Sequence, residues 1–257
     1  MNEAPQMPDA VLSVRGLAKS FTLHTIDGRR VPALLGVDLD VRAGEHVALA
    51  GTSGAGKSSL LRCVYRTYVP GGGAMLFRTG TGEVVDLAAL PDPAVADLRG
   101  REIGYVSQFL RGEPRRGVLD LVARAGAARG MDPGTAREAA AAALRRLGID
   151  ERLWAMHTTV LSGGQKQRVN LAAGTISPPR LLLLDEPVSA LDPVNREAVL
   201  EMIAGLGAAG TAVLSVFHDL DAIERLATRA AVLEGGRIIA EGAPAEVLRA
   251  HDLEVAR

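Results

Sequence analysis

The chain has 257 residues, 47% of them hydrophobic, enough to bury one sizeable core with a smaller lobe attached. A formal net charge of −1 offers no electrostatic ground for binding nucleic acid or an anionic membrane surface. The single cysteine, Cys63, excludes an intramolecular disulfide, suits a reducing compartment and reads as a small buried filler.

Residues 1–10 carry no basic segment followed by an apolar one and read as a disordered tail before a single domain over 11–257. No window approaches the ~18–20 consecutive apolar residues of a membrane span, so a cytoplasmic protein is expected, with any membrane contact made through a partner. Short β-branched runs predict strands over 11–15, 39–41 and 46–50. The last of these runs into a glycine loop, followed by a helix over 57–66. After the turn Pro70-Gly-Gly-Gly73 come strands over 74–78, 84–87 and 103–107. A helical insert over about 109–165 follows, with helices at 118–128 and from Pro133 to Leu147, the second capped by Asp132. Strands resume at 181–184 and 211–217, separated by a helix whose Val199, Met202, Ile203 and Leu206 share one face. The tail reads as two short strands about Gly235-Gly236 and a final helix. Alternating strands and helices predict a layered α/β fold.

The loop 51–58, Gly-Thr-Ser-Gly-Ala-Gly-Lys-Ser, matches the phosphate-loop pattern in the right setting, strand before and helix after. Glycines let successive N–H groups turn inward toward phosphate oxygens, the helix dipole adds to them, and Lys57 supplies a positive charge. Ser58 is placed to ligate Mg²⁺. Leu181-Leu-Leu-Leu-Asp185-Glu186 is a strand apolar on both faces that ends in two carboxylates. Asp185 suits Mg²⁺ through its water shell, leaving Glu186 to orient or deprotonate an attacking water. Taken singly, His218 reads as a structural hydrogen-bonding residue, Gln108 as a surface amide and Phe21 as a core aromatic. Together they fall at the ends of elements that border a bound nucleotide. Leu161-Ser-Gly-Gly-Gln-Lys-Gln-Arg168 precedes another helix, either as an unusual cap or as a second anion site.

From about Val11 to Leu248 these residues resemble the ATP-binding subunits of the ABC family. The resemblance implies a P-loop NTPase (RecA-like) core with an antiparallel β subdomain and a helical subdomain. It places ATP against Phe21, Gly51, Ser53, Gly54, Ala55, Gly56, Lys57, Ser58 and Ser59. Ser162, Gly163, Gly164 and Gln165 form the signature segment, which closes on the nucleotide of a second subunit in a head-to-tail homodimer or heterodimer. Glu186, His218 and Gln108 take catalytic roles, and Ser58, Gln108 and Asp185 hold Mg²⁺. The D-loop falls on Ser189-Ala190-Leu191-Asp192. Phe21 stands where the family more often has tyrosine, and Ala173 where many members carry arginine.

A finer resemblance lies in Phe21 to Leu34, Val106-Ser-Gln-Phe-Leu-Arg111, Glu151-Arg-Leu-Trp154 and Arg168-Val-Asn170. These stretches are similar to the PhnL subfamily of the bacterial carbon–phosphorus lyase system. That resemblance implies carbon–phosphorus lyase subunits as partners and a part in forming ribose 1-methylphosphonate 5-triphosphate. The alternative is the motor subunit of a membrane transporter, peripheral to the membrane, with residues 109–116 facing an integral membrane permease. The tail around Gly236-Arg-Ile-Ile-Ala-Glu-Gly242, followed by Ala243–Leu248, resembles the tails of transporter ATPases and keeps that alternative open. A chromosome-maintenance ATPase needs long coiled-coil arms that the insert is too short to form, and a P-loop kinase has no use for the 161–165 segment.

Overall fold

The computed structural model describes residues 7, 9–23, 28–107, 116–189 and 191–251. Two strands, β1 (Ala10–Leu23) and β2 (Arg29–Arg42), form a long antiparallel hairpin, which β4 (Gly72–Arg78) and β5 (Val84–Asp86) extend to a four-stranded sheet in the order β2-β1-β4-β5. Both hairpin strands are far longer than their apolar cores predict. Register shifts interrupt β1, among them one between Val14 and Leu17, where Gly16 adopts φ 57° and donates its N–H to Asp38 Oδ1 at 2.8 Å. Such a bulge breaks the two-residue alternation from which a strand is read. The first strand also begins at Ala10, inside the expected tail, and Met7 is buried beside Leu76 in a small apolar cluster.

The second sheet has six strands in the order β10-β9-β3-β8-β7-β6. Its members are β3 (His46–Ala50), β6 (Ile103–Val106), β7 (Leu181–Asp185), β8 (Ala212–Val216), β9 (Arg229–Glu234) and β10 (Arg237–Gly242). All neighbours pair in parallel except β10 with β9. The apolar runs of β3, β7 and β8, buried at every position, follow from cover on both faces. In β7, Leu181 and Leu183 join one apolar cluster while Leu182 and Leu184 join the other. The same alternation divides Val47 and Leu49 from Ala48 and Ala50 in β3. Each fully buried leucine contributes roughly 1.5–3 kcal/mol relative to exposure, so the sheet is the stable element on which the loops are mounted.

Between the two sheets lies α1 (Lys57–Val64), with Leu60, Leu61, Cys63 and Val64 buried in the shared cluster. Burial pushes the Cys63 thiol up to about 11, so it stays a neutral filler. Against the other face pack α5 (Gly163–Thr175) and α6 (Pro193–Ala208), and α3 (Val118–Ala128) and α4 (Pro133–Arg146) pack on α5 and on each other. Asp132 caps α4 by accepting from the backbone N–H groups of Gly134 and Thr135 at 3.0 and 3.1 Å. Ala136, Ala140 and Leu144 then bury one face of that helix at fourfold spacing. Among the described residues there are also the α-helices α2 (Asp92–Arg101), α7 (Leu220–Leu226) and α8 (Pro244–Ala250). The result is an α/β core with an antiparallel β layer on one face and a helical layer on the other, as the sequence leads us to expect.

Candidate nucleotide-binding site

Strand β3 delivers the chain into the glycine loop, and α1 begins at Lys57. Two loop positions admit only glycine. Gly51 has φ 128°, and a Cβ there would lie 2.1 Å from the carbonyl oxygen of Leu233. Gly56 has φ 110°, and its Cβ would lie 2.4 Å from the carbonyl oxygen of Ala33. Gly56 is also the N-cap of α1 and brings no side chain to satisfy the first-turn N–H groups, so these donors suit phosphate oxygens. The Lys57 ammonium is held against the loop, donating to the carbonyls of Gly51 at 2.5 Å and Thr52 at 2.8 Å. Burial lowers its pKa, opposed by the negative charge of Glu186.

Asp185 ends β7 almost wholly buried, at 4% exposure. Its Oδ1 accepts from the Ser58 hydroxyl at 2.8 Å, and its Oδ2 accepts from the Tyr105 hydroxyl at 2.8 Å. Arg62 Nη2 stands 3.6 Å from the same Oδ2. The next residue, Glu186, has φ 55°, a left-handed conformation that costs a non-glycine residue about 1–3 kcal/mol. Its backbone is tied on both sides. The Glu186 N–H donates to Val216 O at 3.0 Å, and the Gln167 amide donates to Glu186 O at 3.4 Å and Pro187 O at 3.0 Å. This turn aims the Glu186 carboxylate at His218, whose Nε2 lies 2.7 Å from Oε1.

The glycine loop, Glu186 and His218 meet in one cleft of about 350 Å³, with Asp185 reached through Ser58. Residues 53–59 form one wall, Glu186 and His218 stand on another, and Phe21 with Val31 and Pro32 from the β1–β2 hairpin closes the rim. The Phe21 ring packs edge-on against Tyr68, with centroids 5.1 Å apart, and Lys19 Nζ lies 5.2 Å from its centroid. The chemistry is sorted by position: an apolar rim, a donor-rich loop, and a carboxylate–imidazole pair beyond it.

The 162–165 segment stands apart and does not line this cleft. Ser162 is the N-cap of α5, and with Gln165 it forms a reciprocal capping box: Ser162 N–H to Gln165 Oε1 at 2.9 Å, Gln165 N–H to Ser162 Oγ at 3.3 Å. Ser162 and Gly163 are exposed, and a Cβ on Gly163 would meet nothing within 4 Å. Both predictions for this segment, unusual cap and open anion-facing terminus, are therefore compatible with its geometry. Gln108 and Ala190 lie outside the described residues, as do residues 109–115. Trp154 packs within the helical layer, its indole N–H donating to Ile149 O at 3.0 Å under Arg145.

Three residues that sequence reasoning passed over belong to the site's support: Gln167, Tyr105 and Arg62. For Gln167 no pattern could have found it, because its partners lie in a strand end distant in sequence. Among the described residues no three His, Cys, Asp or Glu side chains gather as a ready-made metal cage. The Ser58–Asp185 pair, a hydroxyl and a carboxylate in contact, is instead the hard-oxygen set that suits Mg²⁺ shared with substrate phosphates. The residues fit that ion.

A phosphate loop at a helix N-terminus, beside a strand end bearing two carboxylates, defines a P-loop nucleotide-binding domain. A family model described as ABC transporter matches residues 34–189, and the chain belongs to that family. It is 37% identical over 217 residues to the methionine import ATP-binding protein MetN of Caulobacter vibrioides, covering 84% of this chain and 63% of that protein. The MetN protein of Xanthomonas axonopodis pv. citri is 36% identical over 225 residues, covering 87% of this chain and 65% of that protein. The chain thus spans less than two thirds of the length of these relatives. Among solved structures it is similar to the dimeric structure of MJ0796, a bacterial ABC transporter cassette, with TM-score 0.81 and 26% identity over 91% of this chain and 98% of that one.

Proposed function

We propose that the chain is the ATP-binding and ATP-hydrolysing subunit of a membrane transporter, working as a head-to-tail dimer. The observation that carries this is the single cleft shared by the phosphate loop, Glu186 and His218. In it the α1 N–H groups and Lys57 hold the phosphates, and Phe21 offers an aromatic surface to the base. Ser58 and Asp185 would hold Mg²⁺, which when bound would supply charge neutralisation at the phosphates. Glu186 receives a proton from the attacking water or orients it, and His218 fixes the Glu186 carboxylate. The exposed N–H groups after Ser162 serve the nucleotide of the second subunit, so assembly and hydrolysis are linked. The dimeric state of the MJ0796 cassette supports this arrangement.

No helix among the described residues is long and apolar enough to cross a membrane, so coupling to transport needs an integral membrane partner. Both MetN relatives are named for import, which favours an import system over the carbon–phosphorus lyase role. The phosphonate reading rests on short stretches alone, and one of its marks, Trp154, has a packing role in the helical layer that accounts for it. Coexpression decides between them. Copurification with a permease and ATPase stimulation by it is the expected result, whereas copurification solely with phosphonate-pathway subunits would replace this reading with the second.

A further inference from the structure

The buried Asp185 carboxylate has two oxygens with different neighbours. Oδ1 faces the phosphate loop through Ser58. Oδ2 faces away from it and receives the Tyr105 hydroxyl at 2.8 Å, with Arg62 Nη2 at 3.6 Å. The sheet register explains the reach of Tyr105. Tyr105 pairs with Leu183 across β6 and β7, so its side chain shares the face of Leu183 and of Asp185 two residues on. Arg62 lies four residues after Ser58 on α1, so the helix meets the same carboxylate twice from one face. The Tyr105 ring is itself clamped: Tyr65 stacks on it with centroids 4.8 Å apart and an interplanar angle of 21°, and Arg99 covers Tyr65 at 4.7 Å.

We propose that Tyr105, assisted by Arg62, is a positioning residue for divalent-cation binding: it holds Oδ2 of Asp185 so that Oδ1 stays turned toward Ser58 and the metal. This rests on the magnesium reading of the cleft given above. A carboxylate turns about its terminal torsion with little preference among orientations, so a buried metal ligand needs outer-shell partners to fix it. A tyrosine hydroxyl to a carboxylate is a charge-assisted bond, and removing it frees the torsion without changing the ligand atoms.

The test is Tyr105→Phe, which keeps the stacked ring and removes only the hydroxyl. Mn²⁺ binding to the complex with a non-hydrolysable ATP analogue is titrated by electron paramagnetic resonance, and analogue binding in EDTA is measured separately. The expected result is an Mn²⁺ affinity weakened about tenfold, with metal-free analogue affinity held within about twofold. Arg62→Gln, on the helix surface, gives a smaller loss in the same direction. An Mn²⁺ affinity unchanged in Tyr105→Phe overturns the proposal. So does a parallel loss of metal-free binding, which would make Tyr105 a prop of the loop. If the wild-type complex itself shows no Mn²⁺ binding, the magnesium reading fails first, and that failure is visible without any variant.

Discussion

Nε2 of His218 lies 2.7 Å from Oε1 of Glu186, although the two residues belong to different strand ends. The contact follows from register. Asp185 pairs with Val216 across β7 and β8, so the residues just beyond each strand emerge side by side at the carboxyl end of the sheet. Glu186→Gln keeps the size and can still bond to His218, but it cannot accept a proton. Turnover should fall by about 10²–10⁴-fold while ATP still binds, and ATP-bound dimer should accumulate on size-exclusion chromatography. Unchanged turnover would remove the carboxylate from the mechanism. His218→Ala should also lower turnover at nearly unchanged ATP affinity, since the imidazole touches the carboxylate and not the phosphate loop.

Lys57 is 7% exposed and is held by two loop carbonyls, so its charge is already placed before nucleotide arrives. Lys57→Ala removes a charge-assisted contact worth about 1.5–3 kcal/mol, and ATP affinity should fall by about 10–100-fold in a fluorescent-nucleotide titration. Retained affinity would count against the phosphate-loop reading.

His46 sits in β3 at 5% exposure, with Nε2 2.8 Å from Ser215 Oγ. Burial lowers its pKa from 6.5 to about 4. The unfolded chain therefore binds a proton that the folded chain refuses between those values. Stability from this group is complete above pH 6.5 and is lost as the pH falls toward 4, by an order of about 3 kcal/mol at most. Urea melts of wild type and His46→Gln across pH 4–7 should differ in slope over that window, with the variant flatter. Parallel curves would refute the assignment.

Legibility in the sequence tracked burial on two faces. The strands β3 and β7 and the loop between β3 and α1 were read with close boundaries, because a strand covered by two layers is an unbroken apolar run. The helix α2 carries no such signal: of its ten residues only Val95 and Leu98 are buried, and Asp, Arg, Pro and Gly make up most of the rest. The β1–β2 hairpin is longer than its sequence pattern shows because its bulges reset the alternation. The resemblance to the ABC family carried the fold and the family. The finer likeness to a phosphonate subunit relied on short stretches such as Glu151 to Trp154, whose contacts here are local packing. Tyr105 and Gln167 were invisible for a different reason: their partners, Asp185 and Glu186, come near only through sheet register and helix docking.

Gln167 links the helix after Ser162 to the turn that carries Glu186. Its side chain is fully buried, its amide N–H groups reach the carbonyls of Glu186 and Pro187, and its Oε1 has no hydrogen-bond partner among the described residues. Gln167→Leu leaves the Pro187 carbonyl without its donor at a cost of about 1–3 kcal/mol, while the Glu186 carbonyl keeps the Ser189 hydroxyl at 3.2 Å, and it also removes the unsatisfied Oε1 acceptor, whose burial costs about the same. The two effects nearly offset, so the urea midpoint should move little. Glu186 would then keep its left-handed φ with one fewer restraint, and relaxation of that turn swings the carboxylate away from the loop. Turnover should fall by roughly tenfold, as for a small misplacement of a reacting group, with ATP affinity unchanged. A large loss of stability with normal turnover per folded molecule would instead make Gln167 a packing residue alone.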